Sequence, residues 1–423
     1  MYGHNLASVR AHNRGAVVRL LHQYGPLSRR EIACRSGLDA STITHIVADF
    51  LGAALARECS LNPPNDVPRR GRREIGIDLV PDAAFGVGVH VGLDQVRVGV
   101  CDLRGQVLGR RLVPRQANSS PDQTLRQIAR LVDELIAETG VPRERVTGVG
   151  VGVIAFVNPN SGVVLSAPSL GWDEVAIVDP LGAELGLPVL LDHHVRAMAL
   201  AEHWFGHARQ MANFALVRVD SSIGIGLVID GQLLRGDGFH AGQIAHLIVA
   251  EDGPLCSCGR KGCLVMLGSY RAIAARARAI SANQPASVLA RMMLDHPDVP
   301  PEQVVFHAAR LGEPIAASLI AEAAEHIART ITDIATILDP KMIVFSVGQP
   351  EHEATLIPPL RHYLEAHAPP YRGGVPEIIG SALGPDLPIL GAATLALERV
   401  VVDPEWYRTR PTTDLRARTP VKT

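Results

Sequence analysis

The stretch HAGQIAHLIVAEDGPLCSCGRKGC, residues 240–263, holds three of the six cysteines of the chain within its last eight residues. An odd number of cysteines cannot pair off internally, which disfavours a disulfide framework and favours a metal site. Structural zinc takes four nitrogen or sulfur ligands in a tetrahedron. This segment offers four, so it predicts a closed, structural zinc site formed by His246, Cys256, Cys258 and Cys263.

Length and hydropathy restrict the class of protein. A chain of 423 residues is long enough for two or three domains with a sizeable core. Its first residues, MYGHNLASVRAHNRG, include no apolar signal region, and no later apolar run approaches the ~20 residues of a membrane span. We therefore expect a soluble cytoplasmic protein without a membrane partner.

Charge is unevenly distributed along the chain. Residues 1–75 contain 11 Arg and no Lys against 6 acidic residues, whereas the whole chain has a net charge of −2. A basic arm on an acidic body is typical of a module that binds a polyanion, joined to a second activity.

The basic arm has the pattern of a helix-turn-helix. The segment HNRGAVVRLLHQYG (12–25) forms one helix, and LSRREIACRSGLDASTITHIVADFLGAAL (27–55) forms two shorter ones that are separated by Gly37. Ser28 and Glu31 have capping-box spacing, and Asp39 or Ser41 can cap the last helix. The exposed start of that helix is where a recognition helix meets base edges, which predicts DNA contacts from Ser41, Thr42, Thr44 and His45.

Two strand-like runs, ARECSL and REIGIDLV, follow these helices and are joined by NPPNDVPRRG. This arrangement predicts the wing of a winged helix. Its tip is a compact basic cluster around Gly71, suited to phosphates or a narrow minor groove, that consists of Arg69, Arg70, Arg72 and Arg73.

From residue 84 the pattern becomes α/β and is repeated. The runs FGVGVHVG, VRVGVCDL and GQVLGRRLVP predict three strands that precede a long amphipathic helix, and NFALVRVD, IGIGLVID and GQLLRG begin a second set. We expect a winged helix-turn-helix domain at 1–80, lobes at 81–212 and 213–402, with the zinc site in the second lobe, and a polar tail at 403–423.

The winged helix, the two lobes and the His…Cys-x-Cys-Gly-x-x-Gly-Cys motif together resemble the ROK family of repressors, open reading frames and sugar kinases, over roughly residues 8–402. The resemblance implies an α/β body of two ribonuclease-H-like (actin/hexokinase-like) lobes, in which the zinc site braces a sugar pocket. Members with a winged helix include repressors of N-acetylglucosamine and xylose genes. We therefore expect a homodimer, or a dimer of dimers, that binds a double-stranded DNA operator.

The positions that match the kinase motifs of this family are altered, so we expect no catalytic residue. A general base contributes about 10²–10⁴-fold to a rate, and its loss here would add to the loss of the phosphate loops. The altered positions are His90 and Asp94 in the first phosphate loop, Asp220-Ser221-Ser222 in the second, Ser346-Val347-Gly348 at the adenosine turn, and His193-His194 in place of an Asn-Asp pair.

The sugar contacts that the resemblance implies are altered as well. Gln243 and Val265 stand where the family has glutamates, and Ser169 stands where it has an asparagine. The expected effector is therefore an anionic or aromatic metabolite rather than an ordinary hexose, or there is no effector. The predicted effector pocket comprises Ser169, Trp172, His193, His194, Gln243, His246 and Val265.

These expectations converge on a kinase-dead DNA-binding transcriptional regulator. Two alternatives stay open, a divergent sugar kinase and a constitutive DNA-binding dimer without an effector. Turnover of ATP on a panel of sugars would distinguish the first alternative, and a thermal shift with metabolites would distinguish the second.

Overall fold

The computed structural model describes residues 6–61, 75–115, 119–367 and 374–402. The chain forms two compact units, of which unit 1 is Met1–Ala197 with Pro388–Thr423 and unit 2 is Met198–Leu387. Residues 388–402, which the sequence grouped with the second lobe, thus lie in unit 1.

Unit 1 begins with three helices and a small antiparallel sheet. The order of these elements is that of a winged helix, and the sheet order is β1-β3-β2. The basic tip between β2 and β3, with Arg69, Arg70, Arg72 and Arg73, lies outside the described residues. The elements are α1 (Leu6–Tyr24), β1 (Leu27–Ser28), α2 (Arg29–Ser36), α3 (Ala40–Gly52), β2 (Ala56–Ser60) and β3 (Ile75–Leu79).

Local capping explains where α2 and α3 begin. Ser28 and Glu31 form the expected capping box, in which the Glu31 backbone amide donates to Ser28 Oγ and the Ser28 amide donates to Glu31 Oε2. Asp39, rather than Ser41, caps α3 by accepting from the Thr42 amide at 2.8 Å. The apolar stripe of α3 is buried at Ile43, Ile46, Val47 and Phe50, as the sequence predicts.

Helix α1 is fastened to the first lobe within unit 1. His22 Nε2 lies 2.9 Å from the Leu103 carbonyl oxygen, and Arg104 forms an ion pair with Asp78 of β3. A short C-terminal helix, α14 (Arg399–Val402), packs against α1, so closely that a Cβ at Gly15 would lie 2.5 Å from the Val401 oxygen. The N-terminal domain is therefore held against the rest of unit 1 through α1 and β3.

The first lobe is built on a five-stranded sheet in the order β11-β7-β4-β5-β6. Strands β4, β5 and β6 are antiparallel neighbours, whereas β4, β7 and β11 run parallel. A second, antiparallel sheet has the order β10-β9-β8. The elements are β4 (Phe85–Val91), β5 (Gln95–Asp102), β6 (Val107–Pro114), α4 (Pro121–Thr139), β7 (Val146–Val153), β8 (Phe156–Asn158), β9 (Val163–Ala167), β10 (Trp172–Ala176), α5 (Val178–Leu185), β11 (Val189–His193) and α6 (His194–Phe205).

A helix close to the C-terminus, α13 (Leu387–Leu397), lies directly on this sheet. A Cβ placed at Gly150 of β7 would lie 1.8 Å from the Ala392 oxygen, and one at Gly88 of β4 would lie 2.0 Å from the Ile389 oxygen. Glycines inside β4 and β7 therefore allow the helix backbone to pack closely against the sheet.

Unit 2 repeats the topology of the first lobe. Its sheet order is β14-β13-β12-β15-β16, with β12, β13 and β14 antiparallel and β12, β15 and β16 parallel. The expected duplication of ribonuclease-H-like lobes is thus confirmed. The elements are β12 (Phe214–Val219), β13 (Ile223–Ile229), β14 (Gln232–Leu233), α7 (Val265–Gly268), α8 (Tyr270–Asn283), α9 (Val288–Asp295), α10 (Pro301–Arg310), α11 (Pro314–Leu338), β15 (Met342–Ser346), α12 (Pro350–His367) and β16 (Glu377–Gly380).

Among the described residues, no single helix has the length and apolar character needed to cross a membrane. Helices α10 and α11 meet those criteria only together, as a pair bent by 108°.

Candidate functional site

The cysteine-rich segment of unit 2 gathers four metal-binding side chains. The ligand atoms of His246, Cys256, Cys258 and Cys263 all lie within 4.8 Å of one another. His246 Nδ1 is 3.6 Å from Cys256 Sγ, and Cys258 Sγ is 3.5 Å from Cys263 Sγ. Ligands about 2.0–2.3 Å from a tetrahedral ion are separated by similar distances. The side chains are therefore arranged to hold one metal ion.

Backbone hydrogen bonds fold this segment tightly enough to bring the sulfurs together. The Cys256 amide donates to the Arg260 oxygen at 2.8 Å, and the Gly262 amide donates to the Pro254 oxygen at 2.9 Å. Gly262 has φ +68, and a Cβ there would lie 1.5 Å from the Ala250 oxygen, so only glycine fits. A backbone hydrogen bond from Arg260 lowers the pKa of the Cys258 thiol to about 6, which favours the thiolate that a metal requires.

The predicted base-contacting residues lie together at the start of α3. Ser41, Thr44 and His45 are exposed and Thr42 is half-buried. Arg14 of α1 forms an ion pair with Asp49 of α3, which holds the opposite end of the helix in place. The exposed polar surface of α3 is thus presented by a helix whose apolar side is fixed in a small core.

Three histidines meet at the carboxyl ends of the parallel strands of unit 1. His90 Nε2, at the end of β4, is 3.4 Å from His194 Nδ1 at the start of α6. The ring centroids of His193 and His194 are 4.8 Å apart. All three side chains are buried. Burial, assisted by Arg196, lowers the pKa of His193 to about 3, so this ring is neutral at physiological pH.

His193 Nδ1 and Trp172 Nε1 are buried polar atoms of unit 1 that have no hydrogen-bond partner among the described residues. Both side chains are almost fully buried. Buried polar groups are normally satisfied, so such atoms point to a water molecule or ligand. Ser169, the remaining pocket residue predicted in this unit, is exposed on the short turn before Trp172.

A fully buried ion pair supports the two adjacent histidines. Asp192 Oδ1 accepts from Arg196 Nε at 2.7 Å and from the His193 amide at 2.7 Å. The Arg196 side chain is 0% exposed and that of Asp192 is 1% exposed. This pair fixes the junction between β11 and α6, where the histidines stand.

The positions of the second phosphate loop and the adenosine turn are joined in unit 2. Arg218 Nη2 donates to Asp220 Oδ2 at 2.5 Å, and its Nη1 donates to Ser346 Oγ at 2.8 Å. A Cβ at Gly348 would lie 3.7 Å from the guanidinium. Arg218 balances the carboxylate of Asp220, so that carboxylate would repel a phosphate less than an unpaired one would. The arginine side chain instead links the two loops directly.

The unit 2 members of the predicted pocket lie on adjacent segments. Gln243 precedes the short turn Ile244–His246, and Val265 begins α7. The two segments are joined because the Leu264 amide donates to the Leu247 oxygen at 2.8 Å. Gln243, His246 and Val265 are all partly buried.

Sequence reasoning missed Arg196 and Arg218. Each had a signal, since Arg196 follows Asp192 by four residues, and Arg218 is a single charge inside the apolar run FALVRV. The sequence alone gave neither arginine a role, because the signal identifies the charge but not all of its partners.

The duplicated lobes and the metal-binding segment agree with the profile of the ROK family, which matches residues 86–399. The chain belongs to the ROK family. It is 27% identical over 367 residues to the DNA-binding transcriptional dual regulator NagC of Escherichia coli K12, covering 86% of this chain and 87% of that protein. It is 28% identical over 318 residues to the glucokinase of Streptomyces coelicolor, covering 74% of this chain and 97% of that protein.

A solved structure of a ROK family transcriptional regulator, described as a homolog of the E. coli MLC protein, has the same fold with a TM-score of 0.79. The match covers 95% of this chain and 99% of that one, at 23% identity. The glucokinase match thus leaves about a quarter of this ROK chain unmatched, whereas the regulator structure covers nearly all of it.

Proposed function

We propose that this ROK protein is a transcriptional regulator that binds a double-stranded DNA operator and does not phosphorylate sugars. One observation carries the proposal. The chain has, before the ROK match begins at residue 86, a domain of three helices and a small sheet whose third helix exposes a polar surface. Similarity to NagC over 86% of the chain supports this assignment.

In this proposal α3 enters the major groove and the wing contacts the backbone. Ser41, Thr42, Thr44 and His45 meet base edges, and the wing tip supplies Arg69, Arg70, Arg72 and Arg73 to phosphates. The protein acts as a homodimer or a dimer of dimers, because two-fold symmetric operators are read by paired recognition helices.

We assign the metal cluster to structural zinc. Three thiolates and one imidazole are a ligand set typical of zinc, and four protein ligands leave no open position for catalysis. His246, Cys256, Cys258 and Cys263 satisfy this chemistry, and the fold of the segment around them supports it. Zinc supplies the bonds that hold residues 246–263 in this conformation.

Side chains in both units support the proposed loss of kinase activity. In unit 1, buried imidazoles occupy the positions of the first-loop acid and of the general base. In unit 2, the Arg218–Asp220 pair and its bond to Ser346 join the two nucleotide loops. Phosphoryl transfer depends mainly on holding phosphate and metal in line, so the chain lacks a suitable cradle.

We further propose that the predicted pocket senses a small molecule other than an ordinary hexose. The unpartnered His193 Nδ1 and Trp172 Nε1 offer buried polar contacts in unit 1. Ser169 and His194 belong to the same unit, and Gln243, His246 and Val265 lie on adjacent segments of unit 2. A DNA-binding dimer without an effector is the outcome if no metabolite raises the unfolding temperature.

A divergent sugar kinase is the second candidate, favoured by the similarity to the Streptomyces coelicolor glucokinase. It is tested by calorimetry with ATP and by an ATP-consumption assay on a sugar panel. We expect neither binding nor turnover in the wild type or in His194→Asp. Micromolar ATP affinity or clear turnover in the wild type would favour the kinase.

DNA binding is tested by measuring affinity against salt concentration. Replacing Arg70 and Arg72 by Ala should weaken binding to all duplexes and flatten the salt dependence by about 0.9 per lost phosphate contact. Thr44→Ala should instead change the preference among duplexes. Equal effects of both kinds of variant on selected and random DNA would contradict the assignment of wing and helix.

A further inference from the structure

The exposed polar side chains at the start of α3 are hydroxyls and one imidazole. They belong to Ser41, Thr44 and His45, and Thr42 lies beside them. The helix reads ASTITHIVADFLG, which contains no arginine and no lysine. These two residues are the usual readers of guanine, so α3 lacks the common means of recognising that base.

The hydroxyl hydrogens on this surface are already used within the protein. Ser41 Oγ donates to Asp39 Oδ1 at 2.6 Å, and Thr42 Oγ1 donates to Asp39 Oδ2 at 2.7 Å. Thr44 Oγ1 donates to the Ala40 oxygen at 2.7 Å. A hydroxyl has one hydrogen and two lone pairs, so each of these oxygens keeps only its ability to accept.

Asp39 fixes the direction of the first two bonds. Hydrogen bonds from Ser41 and Thr42 hold the pKa of the Asp39 carboxyl well below its usual range, so the group is ionised and can only accept. The carboxylate is itself exposed at the helix start and adds another acceptor to the surface.

His45 also uses a ring hydrogen within the protein. Its Nδ1 lies 2.7 Å from the Ser41 carbonyl oxygen, which can only accept. When the ring carries one hydrogen, that hydrogen is therefore on Nδ1, and Nε2 of this exposed side chain is the acceptor.

We propose that α3 bonds to base amino groups in the major groove, adenine N6 or cytosine N4, and that His45 and Thr44 are the specificity-determining residues. These two amino groups are the only base donors in that groove, whereas guanine presents the acceptors N7 and O6 and thymine presents the acceptor O4. Every base pair has one amino group there, so acceptors on the protein determine which strand carries adenine or cytosine at each contacted position. The inference rests on the proposed function, because it requires α3 to lie in the major groove.

The test begins with selection of bound duplexes from a random library by the full-length wild-type protein. In the selected operator, N6-methyladenine or N4-methylcytosine then replaces single bases, which removes the groove-facing amino hydrogen and keeps Watson–Crick pairing. As a matched control, 7-deazapurines remove the N7 acceptor and also keep pairing. We expect amino methylation at the positions under α3 to weaken binding about fivefold to tenfold, and the 7-deaza bases to change it less than twofold.

His45→Ala, an exposed substitution, links the effect to the residue. The penalty for one methylated base should disappear in this variant, and the penalties at other positions should stay. Circular dichroism checks that the helices are intact, and Ala48→Ser on the same exposed face serves as a control that keeps every penalty.

The outcomes distinguish the inference about base recognition from the proposed DNA-binding function. A larger penalty from 7-deazapurines, no penalty from amino methylation under α3, or equal penalties in His45→Ala and the wild type would overturn this inference while leaving DNA binding in place. Failure of the wild type to enrich any duplex would overturn the proposed function and this inference together.

Discussion

Removing one partner of the buried Asp192–Arg196 pair should be among the most destabilising single changes in unit 1. In Arg196→Met, the Asp192 carboxylate would stay 1% exposed and lose the guanidinium now at 2.7 Å. Breaking a buried pair in this way costs about 3–5 kcal/mol. Arg329→Met offers a matched control, because Arg329 and Glu325 have the same i,i+4 spacing but are both about half exposed. Exposed helix pairs of that spacing contribute only about 0.3–0.5 kcal/mol.

Urea denaturation followed by circular dichroism measures both costs, and hydrogen exchange of residues 189–205 reports the local effect. The double variant Asp192→Asn with Arg196→Met should regain most of the loss, because no charge is left buried and Asn still accepts from the His193 amide. A cost below about 0.5 kcal/mol for Arg196→Met, equal to that of Arg329→Met, would refute the reasoning.

Three further predictions concern the metal, the strand glycines and pH. Cys258→Ser should lose the metal, measured by mass spectrometry, and expose residues 246–263 to exchange, whereas metal-free yet fully stable wild type would contradict the site. Gly150→Ala should cost about 1–3 kcal/mol by crowding the Ala392 oxygen, whereas Gly152→Ala, whose nearest contact is 3.4 Å away, should cost less in the same urea assay. Burial, with help from Glu202, raises the pKa of Glu353 to about 6 from 4.5, so the free energy of unfolding should fall as pH rises through that interval. In a series of thermal melts at different pH, Glu353→Gln should remove this part of the fall. The exposed control Glu351→Gln should leave it unchanged.

The fold was largely predictable because its signals are local. Alternating apolar runs identify the strands of both lobes, and the Ser28–Glu31 spacing identifies the start of α2. The return of residues 388–402 to unit 1 was not predicted, because the partners of α13 lie some 240 to 300 residues earlier in the sequence. Strand glycines such as Gly88 and Gly150 were a local trace of that packing, but a strand glycine alone does not identify the backbone that approaches it.

The candidate sites also differ in how far apart their residues lie in the sequence. The four metal-binding residues fall within 18 consecutive positions, so their spacing was sufficient to predict the cluster. The bond from Arg218 to Ser346 spans 128 residues, and the contact from His90 to His194 spans 104, so neither was accessible to spacing. Substitutions at the kinase motifs could be recognised one by one in the sequence. The contacts between those residues could be found only in the folded structure.

Contacts within each unit involve the positions that match the kinase motifs of the family. Buried charges are costly unless they are paired. In unit 2, Arg218 satisfies Asp220 and Ser346 at once. In unit 1, the altered positions carry histidines, of which His193 is held neutral by burial and therefore needs no counter-ion. Under the proposed function these contacts replace a nucleotide site, so restoring one residue would have to break an existing contact before it could rebuild a phosphate site.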